Sequence, residues 1–211
     1  MRRYRSTADK ITVVYNAIDE RLAVPPGDEE VERVRSRYQL KNPFALYVGN
    51  IKPHKNLERL IEAFHDLRKD RAFESLQLVI IGDEITKFQG LRRAVHRHKL
   101  HKHVRFFGFV PVTTLSVLYR LAGVFVFPSL YEGFGLPPLE AMSVGTPVVT
   151  SNISSLPEVV GDAAIRIDPY DPGSIADGMR RALTDQDLRA SLRDRGMARA
   201  REYSWARSVE R

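Results

Sequence analysis

Residues Pro128 to Met142 read Pro-Ser-Leu-Tyr-Glu-Gly-Phe-Gly-Leu-Pro-Pro-Leu-Glu-Ala-Met. Gly133 and Gly135 permit backbone geometries that turn several N–H groups into a cleft. Pro137 and Pro138 are tolerated only in a first helical turn, so a helix starts beside the glycines. Its N-terminus adds unpaired donors and a partial positive charge, which together suit a phosphate. The two flanking carboxylates, Glu132 and Glu140, would repel that anion and need another task. Sugar or ribose hydroxyls supply one, because a carboxylate accepts hydrogen bonds from OH groups. A phosphate cradle between two hydroxyl-reading acids describes a site for a nucleotide sugar.

A second cluster, His96, His98, His101 and His103, invites a metal. No helix places all four on one face, and Arg92, Arg93, Arg97, Lys99 and Lys102 would repel a cation. The stretch reads as a basic helix end, with no metal site expected. It lacks interleaved aromatic residues, so nucleic acid is not an expected partner. Peripheral contact with an anionic membrane is its functional candidate, against a plain solvated surface. The whole chain has 33 Lys and Arg against 26 Asp and Glu, a net charge of +7 that calls for an anionic partner without naming it. With no cysteine, disulfide scaffolds and thiolate metal centres are excluded. No apolar run is long enough to span a bilayer, and no apolar stretch follows Met1-Arg2-Arg3-Tyr4-Arg5 to make a signal peptide. A cytoplasmic protein is expected, at most peripheral at the inner face of the membrane.

Short β-branched runs alternate with amphipathic stretches along the 211 residues. Ile11–Tyr15, Phe44–Val48, Leu76–Ile81, Val104–Phe107, Val124–Phe127, Val148–Thr150 and Ala163–Ile167 read as strands, most of them buried on both faces. Leu57, Leu60, Ile61, Phe64 and Leu67 mark one helix face, with Asn56 at the N-cap position. Phe88, Leu91 and Val95 make a second stripe, and Leu115, Leu118, Tyr119 and Ala122 a third after Pro111. Ile175, Met179, Ala182 and Leu183 make a fourth after the cap-and-proline pair Asp171-Pro172. Arg21 to Asp28 reads as an irregular loop. The polar, helix-prone stretch from Asp185 to Arg211 has Trp205 as its large apolar anchor. Strand–helix alternation at this spacing predicts an α/β fold, a single doubly wound Rossmann-like parallel sheet. Ligands of such a sheet bind beyond the carboxyl ends of its strands, in the loops after Val48, Phe107 and Phe127.

With these motifs in order, the chain resembles the retaining glycosyltransferases of the GT-B fold, in particular glycosyltransferase family 4. Glu132 and Glu140, separated by seven residues, have the spacing of that family's signature. Val13–Asp19 looks like the segment where the family enters its second domain, and Tyr47–Asn56 like its first phosphate loop. Val104–Val110, Gly145–Val149 and Leu156–Val159 follow in the expected order. The resemblance implies the C-terminal, donor-binding half of a GT-B fold. Residues 1–10 would be a remnant of the inter-domain linker, 11–184 the nucleotide-sugar-binding domain and 185–211 a C-terminal helical segment. Implied partners are a nucleoside-diphosphate sugar, as substrate rather than cofactor, and an N-terminal acceptor-binding domain missing from this chain.

The resemblance also assigns roles. Glu132 would meet the donor sugar near its reacting carbon, and Glu140 would bind the ribose hydroxyls. The amides of Phe134, Gly135 and Leu136 would hold sugar and diphosphate, beside Gly133, with Lys55 neutralising a phosphate. Backbone at Phe109 and Val110 would meet the base. After Gly49 the family often has an arginine; this chain has Asn50, which has no charge to offer a diphosphate. The implied reaction is metal-independent transfer of a hexosyl unit, mannosyl or glucosyl, with retention, to a glycan or lipid-linked acceptor. The isolated chain is expected to be inactive. The alternative is a catalytically silent nucleotide-sugar-binding module working with a separately encoded domain.

Overall fold

A run of four or five apolar residues with no polar alternation is stable only where both faces of its strand are covered. In the computed structural model, which describes residues 10–41, 43–82, 85 and 88–210, six strands lie side by side, with such runs at the centre of the sheet and Arg105 and Arg166 interrupting the two edge strands. They are β1 (Phe44–Val48), β2 (Gln77–Ile81), β3 (Val104–Phe107), β4 (Val124–Phe127), β5 (Val148–Ser151) and β6 (Ile165–Ile167). All pair in parallel, in the order β3-β2-β1-β4-β5-β6. In register, Tyr47 lies opposite Ile80 on one side of β1, and Leu46 opposite Phe125 on the other. The expected doubly wound Rossmann-like sheet is the one found.

The helices are α1 (Asp28–Arg37), α2 (Leu57–Leu67), α3 (Gln89–Arg97), α4 (Val112–Leu121), α5 (Leu136–Ser143), α6 (Leu156–Val160), α7 (Pro172–Thr184), α8 (Gln186–Ala200) and α9 (Trp205–Val209). α2, α3 and α7 cover one face of the sheet; α1, α4, α5 and α8 cover the other. Every residue of the α2 stripe is buried, Leu60, Ile61, Phe64 and Leu67 completely. Each such side chain contributes roughly 1.5–3 kcal/mol. α7 starts as its sequence predicts, with Asp171 accepting from the Gly173 N–H at 2.8 Å and Pro172 in the first turn. From β1 the chain winds outward to β3, then returns to the far side of β1 with β4. At that reversal lie the loops leaving β1 and β4, the place where sheets of this kind offer a ligand crevice.

Four expectations need correction. Ile11–Tyr15 forms no strand: Ile11, Val13 and Val14 are exposed, and only Tyr15 turns inward, its ring against Phe134 and Tyr203. The segment runs along the C-terminal helices, with Ile18 N–H donating to Tyr203 O and Ser208 Oγ to Tyr15 O. Its β-branched residues mark a lightly covered surface, not a place in the ladder. Trp205 is 58% exposed and anchors nothing; Leu192, Ala200 and Tyr203 fix the C-terminal stretch. Part of the irregular loop is ordered as a 3-10 turn, Glu20–Ala23, capped by Asp19. Asn56 occupies the N-cap position of α2, but in the left-handed conformation and with no side-chain cap. Residues 1–9, most of the linker remnant, lie outside the described residues. No described helix is long and apolar enough to cross a membrane.

Candidate functional site

The β4–α5 loop leaves a strand whose four residues are all buried and turns at Gly135. Gly135 has φ +117°, a conformation that glycine adopts without strain and other residues rarely do, and a Cβ there would meet the end of Leu156, 2.7 Å from its Cδ2. Gly133, expected to serve the same purpose, has no positive φ and nothing within 4 Å of where a Cβ would stand. Beyond Gly135 the prolines occupy the first turn of α5 and bring no N–H groups of their own. Among the described residues, the N–H groups of Phe134, Gly135 and Leu136 have no protein acceptor. They are the three amides expected to donate to a ligand.

The loop is braced from β5. Ser154 Oγ accepts from the Glu132 N–H at 3.0 Å and donates to the Glu132 carbonyl at 2.9 Å. Ser155 Oγ lies 2.7 Å from Phe134 O and 3.0 Å from Glu132 O, its one proton shared between them. Ser155 is the N-cap residue of α6, yet its hydroxyl caps nothing in that helix. Both serines escape a reading of the sequence, because a Ser-Ser pair before a helix has the look of an ordinary cap.

The β1–α2 loop faces the glycine loop. A 3-10 turn, Pro53–Lys55, brings the Lys55 ammonium to 2.6 Å from Glu132 Oε1, with the two side chains 13% and 12% exposed. The ammonium also stands over the Phe127 ring, 5.2 Å from its centre. The acid expected at the sugar and the base expected at the phosphate are thus one ion pair, shielded from solvent. A direct tie, Leu130 N–H to His54 O at 2.7 Å, joins the two loops beside it.

Glu140 sits on α5, with Oε2 accepting from the Tyr119 hydroxyl at 2.9 Å. Burial raises the Glu140 carboxyl above the ordinary carboxylate range; the Tyr119 hydrogen bond opposes this and the charge of Asp19 adds to it. Tyr119 is wholly buried, which pushes its phenol well above the usual value and keeps it a donor. One oxygen of Glu140 is engaged by Tyr119; among the described residues the other accepts no hydrogen bond. Tyr119 was read from sequence only as part of a helix stripe, and nothing local marks its hydroxyl as a partner of an acid 21 residues away.

Gly49, Asn50, Phe109 and Val110 share a largely apolar cavity of about 310 Å³ with Val48 and Gly82, at the carboxyl ends of β1 and β2. Val110 is buried, whereas the Phe109 side chain is 93% exposed. A Cβ at Gly82 would fall 2.0 Å from Gly49 O, so at the wall of the cavity the two glycine backbones lie in contact. The residues expected at the base therefore share one cavity, which neither Lys55, Glu132 nor the amides at the start of α5 line. A larger cavity, about 780 Å³, lies away from both at the edge strand β3, lined by Arg92, Arg93, His96, Arg97 and His101 over Val104 and Phe106. It brings together no acid with a donor. The histidines separate into pairs, His96 with His101 and His98 with His65, and His103 Nε2 lies 3.0 Å from Arg68. Among the described residues, no three His, Asp or Glu side chains converge.

Residues 28–199, from α1 to the end of α8, match the family described as Glycosyl transferases group 1. The chain belongs to that family. It is 38% identical over 206 residues to the O-antigen chain mannosyltransferase B of Escherichia coli, covering 97% of this chain and 54% of that protein. It is 31% identical to the D-inositol 3-phosphate glycosyltransferase of Corynebacterium efficiens, covering 96% of this chain and 50% of that one. In fold it superposes on Anabaena HepE, solved in complex with UDP-glucose, with a TM-score of 0.84 at 20% identity over 98% of this chain and 57% of that one. The chain spans about half the length of these relatives, and its fold is that of the C-terminal half of a GT-B glycosyltransferase.

Proposed function

We propose that the chain is the donor-binding half of a retaining, metal-independent glycosyltransferase that moves a hexosyl unit from a nucleoside-diphosphate sugar to a glycan or lipid-linked acceptor. The observation that carries this reading is the Lys55–Glu132 pair set against three unpaired amides at the start of α5. In it the diphosphate takes the amides of Phe134, Gly135 and Leu136 and the charge of Lys55. Glu132 then turns its carboxylate to the sugar hydroxyls, and the free oxygen of Glu140 takes the ribose. The base enters the cavity between Gly49 and Val110. As the glycosidic bond to the diphosphate breaks, charge builds on the leaving oxygens, where each fixed donor is worth roughly 3 kcal/mol. Metal independence is supported by Glu132 itself: its carboxylate is held by an ammonium, which repels a dication. Retention is carried from the family resemblance. A mannosyl donor is favoured over a glucosyl one by the name of the 38% identical relative.

Calorimetry and thermal shift with UDP and GDP test the reading. One of the two should stabilise the chain by about 2.7 kcal/mol at 100 times its Kd, equally in EDTA. No response to either at millimolar concentration, or one abolished by EDTA, would refute it.

A further inference from the structure

Asn56 is buried, 4% exposed, and held at φ 62°, ψ 30°. Asparagine tolerates the left-handed region better than most residues, but glycine would hold it without strain. What glycine lacks is the side chain, and every polar atom of this one is engaged. Nδ2 donates to Pro128 O at 3.0 Å and to Pro169 O at 2.7 Å, while Oδ1 accepts from Arg59 at 2.9 Å. Pro128 directly follows β4, and Pro169 lies between β6 and α7. The Arg59 guanidinium is braced in turn over the Tyr170 ring, 5.7 Å from its centre. One buried amide thus binds together the loops at the ends of three strands.

Lys55 is its immediate neighbour. The turn that carries Lys55 is closed by Lys55 N–H to Lys52 O and Asn56 N–H to Pro53 O, and is tied to the glycine loop through His54 O and Leu130 N–H. Lys55 therefore lies between two ties to the β4–α5 loop, one on each side in sequence. A lysine side chain has four rotatable bonds, and pinning its backbone on both sides sharply limits where the ammonium can stand. We infer that Asn56 is a positioning residue: by tying the β1–α2 loop to the β4–α5 and β6–α7 loops, it holds the Lys55 ammonium on Glu132.

The clamp is a statement about geometry, and only its effect on nucleotide affinity rests on the donor-site reading. Two substitutions in the 211-residue chain test it. Asn56→Gly keeps the left-handed turn and removes all three bonds. Asn56→Asp keeps the volume and the oxygen facing Arg59, but sets an acceptor against two carbonyls, and serves should the glycine variant fail to fold. The Lys55 ammonium resonance in ¹H–¹⁵N spectra is the first readout. It should be slow to exchange in the parent and merge with the solvated lysines in the variant, while backbone amides away from the three loops stay in place. The second is nucleotide affinity, expected to fall about tenfold in Asn56→Gly. Lys55→Ala should then cost much less in that background than in the parent, because the two act as a unit. An unchanged ammonium signal, or affinity losses that simply multiply, would overturn the clamp. A parent that binds neither UDP nor GDP, with an ammonium signal that still depends on Asn56, would overturn the donor reading and uphold the clamp.

Discussion

Glu140 gives one oxygen to a buried tyrosine on the neighbouring helix, whereas Glu132 is committed to a lysine across the crevice. The two acids should therefore respond differently to substitution. Glu140→Ala is expected to weaken binding of the free nucleoside diphosphate, since ribose is present with or without a sugar. Glu132→Ala should not weaken that binding, since it frees Lys55 for the phosphate, and should remove the preference for the intact donor; calorimetry of both variants with both ligands separates them, and equal losses in all four titrations would contradict the roles. A second expectation follows from burial, which raises the Glu140 carboxyl in the folded chain. A carboxyl whose folded pKa lies above its unfolded one costs stability once it ionises. That cost is absent below the ordinary carboxylate range and grows as pH rises through the folded value. Glu140→Gln should therefore raise the melting temperature at about pH 8 and leave it unchanged at about pH 4, while still weakening the nucleotide. A gain that is the same at both pH values would contradict it.

Among the elements, glycines carry the sharpest expectations. Gly82→Ala drives a Cβ into Gly49 O, a backbone atom that cannot move aside cheaply. It should cost about 3 kcal/mol or more, with the base cavity lost. Gly135→Ala meets only the end of Leu156 but must hold φ +117°. It should cost about 1–3 kcal/mol, and chemical denaturation of both variants gives the ranking. The central strands were legible because β1 and β4 are wholly apolar and β2 and β5 are built on the apolar runs Leu78–Ile81 and Val148–Val149, as strands covered on both faces require. α1 was not: in Asp-Glu-Glu-Val-Glu-Arg-Val-Arg-Ser-Arg only Val34 is buried, and one residue makes no period. Of the candidate site, Gly135 and the Glu132–Glu140 spacing could be singled out from the residues themselves, Lys55 only through the family resemblance, and the pairing of Lys55 with Glu132 by neither. Asn56 and Ser155 show why. Both stand at N-cap positions with cap-forming side chains, and both direct those side chains to a loop far away in sequence. Local pattern identifies the position, and only the folded chain shows the partner.

At the scale of the molecule, matching only about half of each relative bears on what this chain can do alone. Donor and acceptor must be held together away from water, and such positioning can supply roughly 7–11 kcal/mol of a transfer barrier. The chain spans about half of its relatives, and on the proposed reading its residues serve a donor but no acceptor. It is expected to bind its nucleotide sugar and to transfer sugar negligibly. Supplying the other half of a relative, fused or as a separate chain, should restore transfer where the two halves dock. Efficient, saturable transfer to lipid or sugar acceptors by the 211-residue chain alone would contradict this.

The Lys55–Glu132 contact has a consequence for ionic strength. A nucleotide arriving at a bare cation replaces dissolved counter-ions, and its affinity falls steeply as salt rises. Here the lysine already has its counter-ion, built into the chain and largely out of solvent. Binding is then an exchange of one anion for another, and dissolved salt has little part in it. For all the positive charge the chain carries, its hold on a diphosphate should be nearly indifferent to added sodium chloride.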